Sequence, residues 1–200
     1  DLLNFDKKRK KVSDFVTIQE GCDKFCSFCV VPFTRGPEYS RSRKSILKEI
    51  EKMAQNGVKE IILLGQNVNA WRDDTNGSET YNLGCLIQDI AKIEEILSIR
   101  YTTSHPLDMD LELIKAHKDV DKLMPYLHLP IQSGSDDILK KMNRRHTVSE
   151  YLKIIELVRK YCEDIAISSD FIVGHPGETE EDHKKTLDII NEVKFASSYS

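Results

Sequence analysis

Along the 200 residues, short β-rich apolar runs alternate with longer stretches whose apolar positions recur at helical spacing. VSDFVTI (12–18) is the first such run. SILKEIEKMAQNG (45–57) places Ile46, Ile50 and Met53 on one helical face and stops at Asn-Gly, a common helix end. EIILLG (60–65) is almost wholly apolar, the pattern of a strand buried on both faces. The polar stretch NVNAWRDDTNGSETYN (67–82) predicts a long loop at a functional edge. Helix and strand then alternate again: helix 83–96, strand 99–104, helix 110–118, strand 126–132 and a short helix 135–143. A helix over 147–162 opens with Thr147 and Glu150 as a capping box, followed by a strand at 165–174 and an acid-started helix at 178–193. KFASSYS begins one more strand.

Five β-α repeats and the opening of a sixth predict an α/β fold, a parallel sheet with helices outside it. An open doubly wound sheet and a barrel both satisfy that order. No GxGxxG or GxxxxGK[ST] follows the first strand, which argues against the nucleotide-binding versions. A cysteine-rich loop stands there instead, at the C-terminal strand edge where parallel α/β folds keep their chemistry.

Charge narrows the partners. The net charge of −4 and pI of about 5.9 argue against a domain that grips nucleic acid by bulk electrostatics. Lys7 to Lys11 (KKRKK) is a local exception, readable as a solvated linker or a phosphate-contacting arm. No apolar run approaches the ~18 residues of a membrane span, and DLLNFDKKRKKVSDF lacks the apolar centre of a signal peptide. A start without methionine and an end in FASSYS suggest a piece of a longer protein. Five cysteines, an odd count without a secretory signal, fit a reducing cytoplasm better than a disulfide scaffold. Cys85 and Cys162 stand alone in helical stretches, as buried small hydrophobes would.

Residues 21–29 read GCDKFCSFC, with Cys22, Cys26 and Cys29 separated by three residues and then two. A closed zinc site wants four ligands, and no fourth is near. A [4Fe–4S] cluster normally takes four thiolates; three leave one iron open for catalysis, and Phe25 and Phe28 would limit solvent access. The pattern Cys-x-x-x-Cys-x-aromatic-Cys, with Phe28 as the aromatic, resembles the hallmark of radical S-adenosylmethionine (SAM) enzymes. That resemblance implies a SAM molecule chelated by the open iron and cleaved reductively to a 5′-deoxyadenosyl radical.

The resemblance covers nearly the whole chain. PFTRGPEYSR (32–41), LLGQNVNAW (63–71), TTSHP (102–106), LHLPIQSGS (127–135) and SSDFIVGHPGET (168–179) are similar to successive motifs of the radical SAM methylthiotransferases. The GQNVNAW and QSGS stretches favour the tRNA branch acting on isopentenylated adenosine over the ribosomal-protein aspartate branch, and QNVNAW alone favours it over the threonylcarbamoyl-adenosine branch, which shares QSGS-like sequence. The resemblance implies an open partial (β/α)6 barrel truncated near its sixth strand. Residues 1–12 would be a linker from an N-terminal methylthiotransferase domain and 13–200 the radical SAM core, with a C-terminal TRAM domain also outside the sequence. It further implies methylthiolation of adenine carbon 2 beside the tRNA anticodon. A second [4Fe–4S] cluster in the N-terminal domain would supply sulfur, and a flavodoxin or ferredoxin the electron. This stretch alone would not insert sulfur. A non-catalytic metal-bound RNA-binding module is the rival from another class.

Further site candidates follow from position. Gln66, Asn67 and Asn69 follow the second buried run, where an amide oxygen can accept from the SAM ammonium or simply close a turn. Gln132 and Ser133 end the fourth strand, placed for hydrogen bonds to ribose or carboxylate, or for strand capping. Ser169 and Asp170 interrupt the fifth, and a buried carboxylate there needs a partner: ribose hydroxyls or a basic residue. Arg35 and Arg41 flank the cysteine loop and could clamp a carboxylate or phosphate, or form surface ion pairs. His105 reads as a proton donor, an RNA contact or a structural histidine. Trp71 could stack on a base or pin its loop. Gly174, Pro176 and Gly177 form a turn that the resemblance places beside adenine, with His175 where the family usually has Phe.

Overall fold

The computed structural model describes residues 11–73 and 81–200, so most of the basic run and the centre of the 67–82 stretch lie outside the described residues. Six strands form the frame: β1 (Ser13–Thr17), β2 (Glu60–Leu64), β3 (Ser98–Tyr101), β4 (Tyr126–His128), β5 (Ala166–Asp170) and β6 (Ser197–Tyr199). β2 lies between β1 and β3, and β5 between β4 and β6, all in parallel. A parallel bridge from Ile99 to Leu123 connects the two three-stranded sheets. Among the described residues no pairing closes β6 onto β1, so the barrel is open.

Helices return the chain from each strand to the next. They are α1 (Val31–Arg35), α2 (Arg43–Gln55), α3 (Leu83–Ala91), α4 (Leu111–Asp119), α5 (Asp136–Lys141), α6 (Val148–Tyr161) and α7 (Glu180–Val193). Short polar side chains cap their starts: Asn82 for α3, Asp110 for α4 and Thr147 for α6, the last in the expected capping box with Glu150. Thr179 and Asp182 make a second box at α7. Each such cap is worth about 1 kcal/mol.

Strand alternation decides which face is sealed. Val16, Ile61, Leu63, Ile99, Leu127 and Ile167 are buried in one core with Ile46 and Ile50 of α2, Leu86 of α3 and Tyr151 of α6. Each buried aliphatic side chain contributes roughly 1.5–3 kcal/mol. The opposite face is less covered: Ile62 and Leu64 are only half-buried and Phe15 is 57% exposed. The apolar run at 60–65 therefore corrects to an alternating strand, because one face of this open barrel carries no helix layer. Several elements are also shorter than their sequence patterns, and the strands predicted over 99–104 and 165–174 end at Tyr101 and Asp170. The helix predicted over 83–96 ends at Ala91, and the strand predicted over 126–132 pairs only to His128 before a separate bridge between Gln132 and Phe171. Pro130, which has no N–H to donate, stands in that gap.

Close backbone packing fixes the C-terminal edge. A Cβ on Gly134, in the QSGS turn, would stand 2.3 Å from the Lys185 carbonyl oxygen of α7. Only glycine lets that turn and helix approach so closely.

Candidate functional site

The cysteine loop leaves the C-terminal end of β1, as the strand order requires. Its base is pinched by a short antiparallel pairing of Gln19–Glu20 with Tyr39–Ser40. Two glutamines then hold Gly21 at the entrance. Gln19 Nε2 donates to the Gly21 carbonyl at 2.7 Å, while the Gly21 N–H donates to Gln66 Oε1 at 2.7 Å. Gly21 has φ of 73°, and a Cβ there would stand 2.0 Å from the Pro37 carbonyl oxygen. Gln19 Oε1 accepts from the Asn67 N–H at 2.9 Å, tying the loop to the end of β2.

The far side of the loop rests on a segment more than a hundred residues away. The Ser27 N–H donates to the Met142 carbonyl at 3.0 Å, and Asn143 Nδ2 donates to the Phe25 carbonyl at 2.8 Å. Arg144 Nη1 stands 3.6 Å from Cys26 Sγ, and Nη2 donates to the Pro130 carbonyl at 2.5 Å. Asn143 and Arg145 both have φ of 57°, the left-handed geometry that aims this turn at the loop. Lys24 adds an ion pair to Asp108 at 2.8 Å, and the other Asp108 oxygen accepts from Asn67 Nδ2 at 2.7 Å.

All five cysteines are free thiols. Cys26 is buried, Cys22 and Cys29 are half-buried, and burial pushes the Cys22 thiol above its ordinary value. Among the described residues no three His, Cys, Asp or Glu side chains stand in ready metal-ligating geometry, so the loop presents donors along a held backbone and not a closed site. Such ligands close as the metal binds. The fit to an anionic cluster rests on what surrounds the thiols. Arg144 is buried beside Cys26, its Nε has no partner, and no carboxylate among the described residues pairs with it. A buried guanidinium without a counter-charge is costly; thiolate ligands of a [4Fe–4S] cluster would provide one.

Two buried histidines stand next to Arg144. His105 and His146 pack edge to face, 5.8 Å between ring centroids, each with an unpartnered Nε2. Burial, with Arg144 and the other histidine, holds His105 down to about 2, and burial with Arg144 holds His146 at about 4. Both are therefore neutral. His105 Nδ1 accepts from the Leu107 N–H at 3.2 Å, and Asn69 clasps the His105 backbone from both sides, at 2.8 and 2.9 Å. The structural reading of His105 and Asn69 accounts for these bonds.

Other expected site residues are distributed unevenly. Gln66 is near the loop, but its carbonyl oxygen, the atom expected to accept from SAM, already accepts from Gly21. Gln132 ends the fourth strand region with φ of 80°, strained backbone of the kind that clusters at sites. Ser133 Oγ lies 3.4 Å from Thr186 Oγ1 and accepts from the Ser135 N–H, so it caps its own turn. Ser169 is fully buried, and its Oγ accepts from the Ile131 N–H at 3.1 Å, which turns it away from the open face. Its neighbour Ser168 faces the other way, 2.8 Å from His128 Nδ1 and 2.6 Å from the Tyr126 hydroxyl. Asp170 stands on that face too, 3.3 Å from His128 Nε2 with its side chain 38% exposed. Arg35 is exposed on α1. Arg41 takes its bland alternative, an ion pair to Glu49 at 2.5 Å and a bond to the Thr17 carbonyl.

Trp71 is fully buried and its Nε1 donates to the Arg41 carbonyl at 2.9 Å, so it pins its loop and offers no face to a base. Phe28 and Phe25 are 42% and 50% exposed and do not roof the thiols. Cys85 and Cys162 are half-buried, less enclosed than their helical patterns suggest. Arg144, Asn143, Asp108, His128 and Ser168 were missed by the sequence reading. The only signal for the first two was the MNRRH run after a short helix, where Asn tolerates left-handed backbone.

Comparison with known proteins identifies the family. Residues 16–190 match the family described as the radical SAM superfamily. The chain is 59% identical over 189 residues to a tRNA-2-methylthio-N(6)-dimethylallyladenosine synthase of Anaplasma marginale, covering 94% of the chain and 41% of that protein. It is 56% identical over 193 residues to the protein of the same description in Bartonella tribocorum, covering 96% of the chain and 42% of the relative. The chain thus spans about two fifths of these relatives. Its fold is similar to that of the radical SAM methyltransferase TsrM from Kitasatospora setae, with a TM-score of 0.72 at 17% identity, covering 96% of this chain and 36% of the other.

Proposed function

The chain belongs to the radical SAM superfamily, and from that premise we propose that it is the radical-generating core of a tRNA methylthiotransferase acting on isopentenylated adenosine. The observation that carries the chemistry is the buried, unpaired Arg144 against Cys26 in a loop held at the C-terminal mouth of the open barrel. The substrate rests on the two relatives of 59% and 56% identity.

Cys22, Cys26 and Cys29 would hold a [4Fe–4S] cluster, which when bound supplies the electron for reductive cleavage of SAM. The residues around it divide the remaining work. Gln19, Gln66 and Asn143 fix the loop backbone through bonds to Gly21 and Phe25. Asp170 and His128, on the open face, would take the ribose or adenine of SAM, and Gln132 lies beside them at the bridge to Phe171. Arg35 and Phe28, exposed near the loop, are free to meet a substrate. Residues 13–200 would form the core, with sulfur supplied from a second cluster in a preceding domain and the electron from a flavodoxin or ferredoxin. No helix among the described residues is long and apolar enough to cross a membrane, and five free thiols suit the cytoplasm.

The test has two stages. The chain, reconstituted anaerobically with iron and sulfide and then reduced, should convert SAM to 5′-deoxyadenosine, and Cys26→Ala should not. The full-length protein should then add a methylthio mass to isopentenylated tRNA. A mass gain on a protein aspartate instead would overturn the substrate, and zinc without sulfide would overturn the chemistry.

A further inference from the structure

Arg144 is the only buried arginine among the described residues, at 4% exposure. The hydrogen-bond partners of its guanidinium are one carbonyl and one sulfur, with Nε unpartnered. His105 and His146, beside it, are neutral and add no negative charge. Removing a guanidinium from water without a counter-ion costs several kcal/mol. The nearby groups able to offset that cost once ionised are Cys26, Cys22 and Tyr151, and of these Cys26 is the one in hydrogen-bond contact with the guanidinium.

Three thiolates around a doubly charged [4Fe–4S] core leave one net negative charge, and taking up one electron makes it two. Cluster potentials follow net charge, hydrogen bonds to sulfur and solvent exposure. Nη1 meets the first two conditions at once, since it brings a fixed positive charge and an N–H to Cys26 Sγ at 3.6 Å. Burial strengthens both effects, because nothing there screens them as water would.

We propose that Arg144 is a positioning residue that raises the reduction potential of the cluster held by Cys22, Cys26 and Cys29, by offsetting the charge that reduction adds. This rests on the iron–sulfur reading above. The step is a single electron transfer from an external low-potential donor, and no bond forms or breaks at the arginine. The role also explains why the residue is held so firmly. The Pro130 carbonyl grips Nη2, so Nη1 stays at the sulfur and does not swing towards solvent.

The test compares the native chain with Arg144→Met and Arg144→Lys, each reconstituted and titrated with dithionite without SAM. The midpoint is followed by the spectrum of the reduced cluster. In Arg144→Met the reduction equilibrium should fall at least tenfold, about 59 mV for one electron, while Arg144→Lys stays within about threefold of native. Thermal unfolding of the iron-free proteins is the second measurement. Iron-free Arg144→Met should be as stable as native or more so, since the variant removes an uncompensated buried charge. A folded Arg144→Met that assembles no cluster, beside an Arg144→Lys that does, overturns it in favour of a role in cluster assembly. Equal midpoints in all three proteins overturn it and leave the cluster reading intact. An iron-free Arg144→Met that melts far below native, with Arg144→Lys falling equally, overturns it in favour of a packing role. Failure of the native chain to assemble any cluster overturns both readings together.

Discussion

Asn143 reaches across 118 positions of sequence to donate a 2.8 Å hydrogen bond to the Phe25 carbonyl, inside the cysteine loop. A loop of this length has no secondary structure of its own over most of its course, so its backbone groups need partners from elsewhere. The Met142 carbonyl and the Asn143 amide provide two, for the Ser27 N–H and the Phe25 carbonyl, and the Arg144 guanidinium next in sequence meets the Cys26 sulfur. Asn143→Ala removes a bond worth about 1 kcal/mol and puts alanine at φ of 57°, a further cost of about 1–2 kcal/mol. Asn143→Gly removes only the bond. We expect both variants to bind less iron on reconstitution, and alanine to lower the urea midpoint more than glycine. Equal midpoints would show that the left-handed turn carries no strain.

Gly21 sets the entrance to the same loop. Alanine there would place its Cβ 2.0 Å from the Pro37 carbonyl oxygen at φ of 73°. That atom is backbone and cannot rotate aside. The loop must therefore leave its path and lose the Gln19 and Gln66 bonds, while the sheet core, which does not depend on the loop, stays folded. Gly21→Ala should keep a native-like far-UV circular dichroism spectrum, retain less than half the native iron, and lose 5′-deoxyadenosine production.

These two variants mark the boundary of what the chain disclosed before folding. The β-α order, the loop after β1 and the triad itself were legible, because periodicity and cysteine spacing are local properties. The capping box at Thr147 was legible for the same reason. Arg144 was not, since its meaning comes from a contact with Cys26 that folding brings together. Nor was the orientation of Ser168 and Ser169: adjacent serines point to opposite faces, and a pattern of two polar residues does not say which faces the site. Trp71 had two readings, a face for a base or a pin for its loop, and burial selected the second. An aromatic in a polar stretch does not say by itself whether the core will close over it.

His117 provides a pH signature remote from the cysteines. Burial lowers it to about 4, and its Nε2 pairs with the Tyr101 hydroxyl at 2.7 Å. The folded value lies below the unfolded one, near 6.5, so in acid the unfolded chain binds the proton first. Stability is therefore full above about pH 6.5 and falls as pH drops towards 4, with a limiting slope of about 1.4 kcal/mol per pH unit from this residue. His105 and His146 slope the same way. His117→Gln should flatten urea-derived stability between pH 6 and pH 4 by about that slope relative to native. An unchanged slope would mean that His117 titrates in the folded protein as it does in water.

Ser169 and Asp170 are adjacent in β5 yet should separate completely by experiment. Ser169 Oγ accepts from the buried Ile131 N–H, so Ser169→Ala leaves a donor without a partner, at about 1–3 kcal/mol. That loss falls on the fold, and SAM affinity of the reconstituted chain should change less than twofold. Asp170 is partly exposed on the open face and its only recorded ion-pair partner among the described residues is His128. Asp170→Asn keeps the shape and one acceptor but removes the charge that two ribose hydroxyls would share, so unfolding should move little. SAM binding, measured by equilibrium dialysis, should weaken about tenfold, the loss of one charge-assisted hydrogen bond. If Ser169→Ala weakens SAM binding and Asp170→Asn does not, the nucleoside lies on the helix-covered side of β5, and the open face must serve another ligand.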